Sequence, residues 1–120
     1  MRNTKKNLNS IELEIINFIS FFIKEKVGRG PREVRVKIVD NTIVFFVIGI
    51  LSPLEKNILQ SSEGEKVIIE GRNLYLKMSN PERIGAFEKI VKAKVIEHYE
   101  TLNLKNETAV GVLVFDENIT

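Results

Sequence analysis

Nine consecutive residues, Ile43 to Leu51 (IVFFVIGIL), carry no polar side chain and are rich in β-branched and aromatic types. A strand sends alternate side chains to opposite faces, so a run apolar on both faces belongs inside a sheet covered on each side. Helices would cover one face, and a helix or another subunit the other. Asp40-Asn41, just upstream, tolerates the positive φ angles of a two-residue hairpin turn. Before that turn, Val34, Val36 and Ile38 alternate with Arg35, Lys37 and Val39, which predicts a half-exposed strand with a basic outer face. Gly49 marks a bend or bulge. Ser52-Pro53-Leu54-Glu55 then reads as a capping box with proline at the first helical position.

Upstream, residues 1–7 (MRNTKKN) show no apolar period and are read as a flexible tail, with residues 8–120 forming a single domain. Asn9 or Ser10 is positioned to cap a first helix. Leu8, Ile11, Ile15, Phe18, Ile19 and Phe22 recur at spacings of three and four, which defines a buried helical face. Leu13, Ile16, Phe21 and Ile23 widen it. The bland reading is a broadly buried helix; the sharper one makes Leu13, Phe18, Phe21 and Phe22 an interface for a second copy or a partner. Gly28 follows Lys24 and Lys26, the pattern of a helix stop, and Pro31 keeps the helix from resuming.

After the second hairpin strand and its capping box, Ser62-Glu63-Gly64-Glu65 reads as a second box opening a longer helix with Val67, Ile68, Leu74, Leu76 and Met78. Asn80-Pro81 either kinks that helix or caps a separate one bearing Ile84, Phe87, Ile90 and Val91. Residues 92–104 and 108–115 form a second hairpin, and Val110, Val112 and Val114 alternate with Ala109, Gly111, Leu113 and Phe115. The predicted fold is α+β: a two-layer sandwich of order α-ββ-α(α)-ββ, with a four-stranded, mainly antiparallel sheet and helices on one face. That order is equivalent to a circularly permuted ferredoxin-like sandwich. Its uncovered face would still show Phe and Val, so a homodimer through that face or the first helix is expected.

With 120 residues, 43% of them hydrophobic and 28% charged, the chain suits one globular domain. A net charge of +2 is too small to impose a nucleic-acid partner. The absence of cysteine excludes disulfides, thiolate nucleophiles and cysteine-zinc sites. The most apolar stretch, IINFISFFI at 15–23, falls short of the roughly 20 residues of a span, and Glu12 and Glu14 stand where a secretory leader would be basic. The expectation is a cytoplasmic protein that reaches a membrane at most through a partner.

Arg29, Gly30 and Arg32 at the GRGP turn, with Arg35 and Lys37 on the strand, form a candidate edge for an anionic ligand or nucleic acid. A phosphate-binding glycine loop normally leads into a helix N-terminus, whereas this one leaves a C-terminus, which favours structural punctuation. No aromatic residues interleave the basic ones for base stacking. His98 is the single histidine; Ile96 and Glu100 share its predicted face, while Glu97 and Tyr99 point the other way. Two residues make neither a catalytic constellation nor a metal site. No enzyme, catalytic residue, metal or cofactor is predicted.

The block from Gly28 to Leu59, GRGPREVRVKIVDNTIVFFVIGILSPLEKNIL, together with Glu63-Gly64 and the final strand VGVLVF ending at Phe115, resembles the MpsC-like family. These are small bacterial proteins named for a component of a sodium-translocating, membrane-potential-generating system. One departure is Lys92-Ala93-Lys94-Val95, where the family's TGV would place a glycine before the third strand. The resemblance implies a non-enzymatic accessory or regulatory role beside an ion-coupled membrane-potential or bicarbonate transport system. It carries no catalytic or ligand-binding residue set with it.

Overall fold

A computed structural model describes residues 7–119. Its elements are α1 (Leu8–Val27), β1 (Glu33–Val39), β2 (Thr42–Ile48), α2 (Pro53–Ile58), α3 (Gly64–Val91), β3 (Val95–Asn103) and β4 (Thr108–Phe115). The four strands form one sheet in the order β1-β2-β4-β3, every neighbouring pair antiparallel. This is the strand order of the permuted ferredoxin-like arrangement, and the α+β class read from sequence holds.

α1 starts one residue before the predicted caps. Asn7, assigned to the tail by its polarity, accepts a hydrogen bond from the Ser10 amide on Oδ1 at 2.8 Å, and residues 1–6 lie outside the described residues. Gly28 ends the helix at φ 95°, and its N–H donates to the Lys24 carbonyl. β1 is an edge strand, and Glu12 of α1 accepts from the Ile38 amide, which shields part of that edge. In the hairpin turn only Asp40 takes a positive φ, 57°. Asn41 is committed elsewhere: its backbone carbonyl accepts from Phe115 N and its side chain donates to the Phe115 carbonyl. The chain beyond β4 continues this clamp, since Ile119 N donates to the Asp40 carbonyl and the Ile119 side chain is buried.

The core lies between the sheet and the two long helices. Ile11, Ile15 and Ile19 of α1 and Phe87 and Val91 of α3 meet Val36, Ile43, Phe45, Val47, Leu113 and Phe115 of the strands. Phe87 is the hub: Phe18 meets it edge-on at 5.3 Å and Phe45 stacks on it at 6.0 Å. Gly111 lets the Phe45 ring lie against β4, because a Cβ there would stand 2.0 Å from Phe45 Cζ.

The Ser52 capping box forms as predicted, with Glu55 N donating to Ser52 Oγ and Ser52 N to Glu55 Oε1. The second box does not form. α3 begins at Gly64, its preceding residue Glu63 is already helical in φ and ψ, and no side chain caps it. Close packing replaces the cap: Gly64 is buried against the Ile58 carbonyl at the end of α2. The choice left open at Pro81 resolves to one helix, which runs through the proline from Gly64 to Val91. At its end Lys92 takes the left-handed conformation, φ 64° and ψ 43°, and its amide donates to the Glu88 carbonyl. Lysine thus does the backbone work expected of the family's glycine.

Candidate functional site

Pro81 lacks the amide that would donate to the Lys77 carbonyl and its ring crowds that carbonyl, which weakens the helix here and leaves the turn before it to be held by a side-chain donor. Arg83 supplies one. Its Nη2 donates to the Leu76 carbonyl and to Asn80 Oδ1, both at 2.7 Å, and its Nε donates to Ser79 Oγ at 3.0 Å. Ser79 Oγ in turn donates to the Tyr75 carbonyl. The remaining Nη1 donates at 2.6 Å to Glu100 Oε2 on the inner face of β3. Arg83 is only 6% exposed, so this is a buried ion pair with several hydrogen bonds, the form such a pair needs to persist in a core.

His98 lies two residues before Glu100 on the same inner face, and its Nε2 is 3.1 Å from Glu100 Oε1, though too poorly aligned to count as a hydrogen bond. The predicted company of His98 is therefore half right. Glu100 is beside it, whereas Ile96 is pushed out to 59% exposure by a β-bulge between Val95 and Glu97.

A second arginine, Arg72, donates from Nε and Nη2 to both carboxylate oxygens of Glu55 at 2.7 Å, and Nη2 also reaches the Ile50 carbonyl. Burial would raise the Glu55 pKa, but the hydrogen bonds from Arg72 and from the Ser52 amide outweigh it and hold the carboxyl below the usual glutamate range. The sign follows. A depressed folded-state pKa gives stability that is present above the unfolded value and is lost as pH falls through the folded value. Acidification from about pH 5 to well below about pH 4, across the ordinary glutamate value and beneath it, is expected to lower the urea midpoint of the native protein. Glu55→Gln is expected to start lower at neutral pH and to show a shallower decline. Equal slopes would mean that Arg72 does not act on a charged Glu55.

Both arginines border an apolar space between α1, α3 and the sheet, with Phe18, Phe22, Phe45 and Leu102 among its walls. The guanidinium groups are spent on carboxylates and carbonyls inside the protein. The arrangement braces helix α3 and ties α2 to it.

The predicted ligand residues do not converge. Arg29 is exposed in the turn and Gly30 is half-buried near Lys24. Arg32 N donates to the Ile48 carbonyl, and its side chain lies against Gly49, whose φ of 80° makes the predicted bend. Arg35 and Lys37 project together from the outer face of β1. Arg35 donates to Glu33 two residues away and lies 5.7 Å from the centre of the Phe46 ring. The predicted interface residues also separate. Leu13 and Phe21 are 56% and 63% exposed, two turns apart on α1, whereas Phe18 is half-buried and Phe22 sits in the core.

Two apolar surfaces remain. Along the first half of α3, Val67, Leu74 and Met78 are all more than half exposed, beside a cleft of about 340 Å³ lined by Leu54, Gly71 and Tyr75. Their spacing of seven and four residues was readable as a helical stripe, but the sequence did not show that it faces outward. The other surface is the outer side of the sheet, where Val44, Phe46 and Ile48 of β2 lie beside Val112, Val110 and Thr108 of β4.

The model of the family described as "Na+-translocating membrane potential-generating system (MpsC)" matches residues 7–117, nearly the whole of this chain. The chain belongs to the MpsC family. The chain is also 31% identical over 101 residues to the uncharacterized protein YrhF of Bacillus subtilis (strain 168), covering 80% of each chain. It is 32% identical over 111 residues to the uncharacterized protein YbcI of the same organism, covering 92% of this chain and 88% of that one. No solved structure matches the chain. The MpsC name links the family to a membrane-potential system, yet among the described residues no helix is long and apolar enough to cross a membrane.

Proposed function

We propose that this MpsC protein is a non-enzymatic accessory or regulatory subunit. It works as a cytoplasmic homodimer and reaches the membrane through a protein partner of an ion-coupled membrane-potential or bicarbonate transport system. The observation that carries this reading is the first half of α3. From Gly64 to Met78 that helix buries only Gly64 and Ile68 and leaves Val67, Leu74 and Met78 in water beside an open cleft. A helix stabilised by its own propensity alone is marginal in water, and an exposed apolar stripe of this kind marks an interaction site. The family's name supplies the class of partner. The ion pairs Arg72–Glu55 and Arg83–Glu100 brace the fold, which is consistent with a non-enzymatic role.

The test is affinity capture of the tagged protein from its own host in mild detergent, compared with a Leu74→Glu, Met78→Glu variant. Both positions are exposed, so the variant is expected to melt like the native protein. Recovery of ion-transport membrane subunits with the native protein, and their loss with the variant, is the expected result. Equal recovery by both removes α3 from the interface, and no transport subunit with either overturns the accessory reading.

A further inference from the structure

The homodimer proposed above can be given a geometry, because the register of the strands fixes a charge pattern across the open sheet face. Lys37, Val44, Val112 and Tyr99 lie in one cross-strand row, and Val39, Thr42, Val114 and Glu97 in the adjacent row. The two central strands contribute an apolar strip. The edge strands differ in sign. On β1, Arg35 is matched by Glu33 in its own strand, which leaves Lys37 as the charge without a carboxylate partner among the described residues. On β3, Glu97 is the outward charge and accepts from the Tyr99 hydroxyl.

We propose that this face binds a second copy of the chain, sheet against sheet, with the twofold axis running parallel to the strands between β2 and β4. That operation sets β1 of each copy over β3 of the other. Lys37 then lies over the other copy's Tyr99, one row from its Glu97, and Phe46 meets Val110 beside the axis. A twofold axis across the strands, centred on the same four rows, would instead set β1 over β1 and β3 over β3, placing Lys37 over the other copy's Arg35 and Glu97 over its Asn103. Like charges apposed as Lys37 and Arg35 would be are unfavourable, so the charge pattern selects the first axis. The size is sufficient. Four strands by four rows span about 19 by 27 Å, or about 500 Å² per copy and about 1,000 Å² in all, the threshold of a specific interface. The aligned packing of two twisted sheets suits such a pairing.

The experiment uses the full chain in light scattering and sedimentation equilibrium over a dilution series. The native protein is expected to be a dimer and Val112→Glu a folded monomer, with unchanged far-ultraviolet circular dichroism. Lys37→Glu and Glu97→Lys are each expected to weaken the dimer at least about tenfold, and the double exchange to restore it. Within one copy the two residues sit on opposite edges and in adjacent rows, about 16 Å apart and beyond the screening length at ordinary salt, so restoration reports contact between copies. A native monomer at every concentration overturns both the dimer and its geometry. A dimer indifferent to Val112→Glu places the contact elsewhere and overturns only the sheet-face assignment. Weakening by the single changes without restoration in the double overturns the axis.

Discussion

Arg83→Met is expected to lower the unfolding free energy by about 3–5 kcal/mol, read from urea titration. The substitution keeps the aliphatic bulk of the side chain but removes every donor. Glu100 then remains as a carboxylate in the interior with its guanidinium gone, and the Leu76 carbonyl and Asn80 side chain lose a partner next to the proline. Most of the cost comes from what is left behind, so a double change of Arg83→Met with Glu100→Leu is expected to recover much of it. Arg83→Lys should recover little, because one ammonium cannot reach acceptors spread from α3 to β3. A loss below about 1 kcal/mol, the ordinary value of an exposed pair, would show that water reaches the site.

Gly64→Ala is expected to be costly in the same assay, by about 2–4 kcal/mol. An added Cβ would stand 2.0 Å from the Ile58 carbonyl oxygen and 2.9 Å from Leu59 Cα. These are backbone atoms of the turn joining α2 to α3, so no rotamer change can relieve the contact. The same substitution two turns along the same helix should act oppositely. A Cβ added at Gly71 would meet nothing within 4 Å, and Gly71→Ala is expected to raise stability by up to about 1 kcal/mol through helix propensity. Similar effects at the two positions would contradict the close approach of α2 to α3.

The features legible in the sequence were those set by local chemistry. Ser52 and Glu55 are three residues apart and need nothing from the rest of the chain to form their box, and Gly28 after two lysines ends α1 on its own terms. The apolar period of β2 and β4 gave the sheet, and its two-faced character gave the exposed outer side. What escaped reading depends on partners distant in the chain. Ser62 to Glu65 has the letters of a cap, but Gly64 is drawn against Ile58 and the helix starts there without one. Ile119 looks like a terminal straggler until Asp40 accepts its amide. Arg83 resembles any surface arginine of a helix. Pro81 marks a weakened turn nearby but not the carbonyl an arginine would serve, and only the placement of β3 shows that Glu100 completes the set. For the candidate surfaces, period two put Arg35 and Lys37 on one face, whereas their position opposite Glu97 and Tyr99 required the strand order.

That strand order also governs how the molecule is made. Each hairpin joins neighbours in the chain, but the sheet closes only where β2 meets β4, in pairs from 60 residues apart, Ile48 with Thr108, to 72 apart, Thr42 with Val114. Closing so long a loop is an entropic cost borne before the contacts repay it, so this seam sets the pace of folding. Until it zips, the two most apolar strands each present a bare edge, and the period before closure is when a newly made chain is most exposed to pairing with its neighbours.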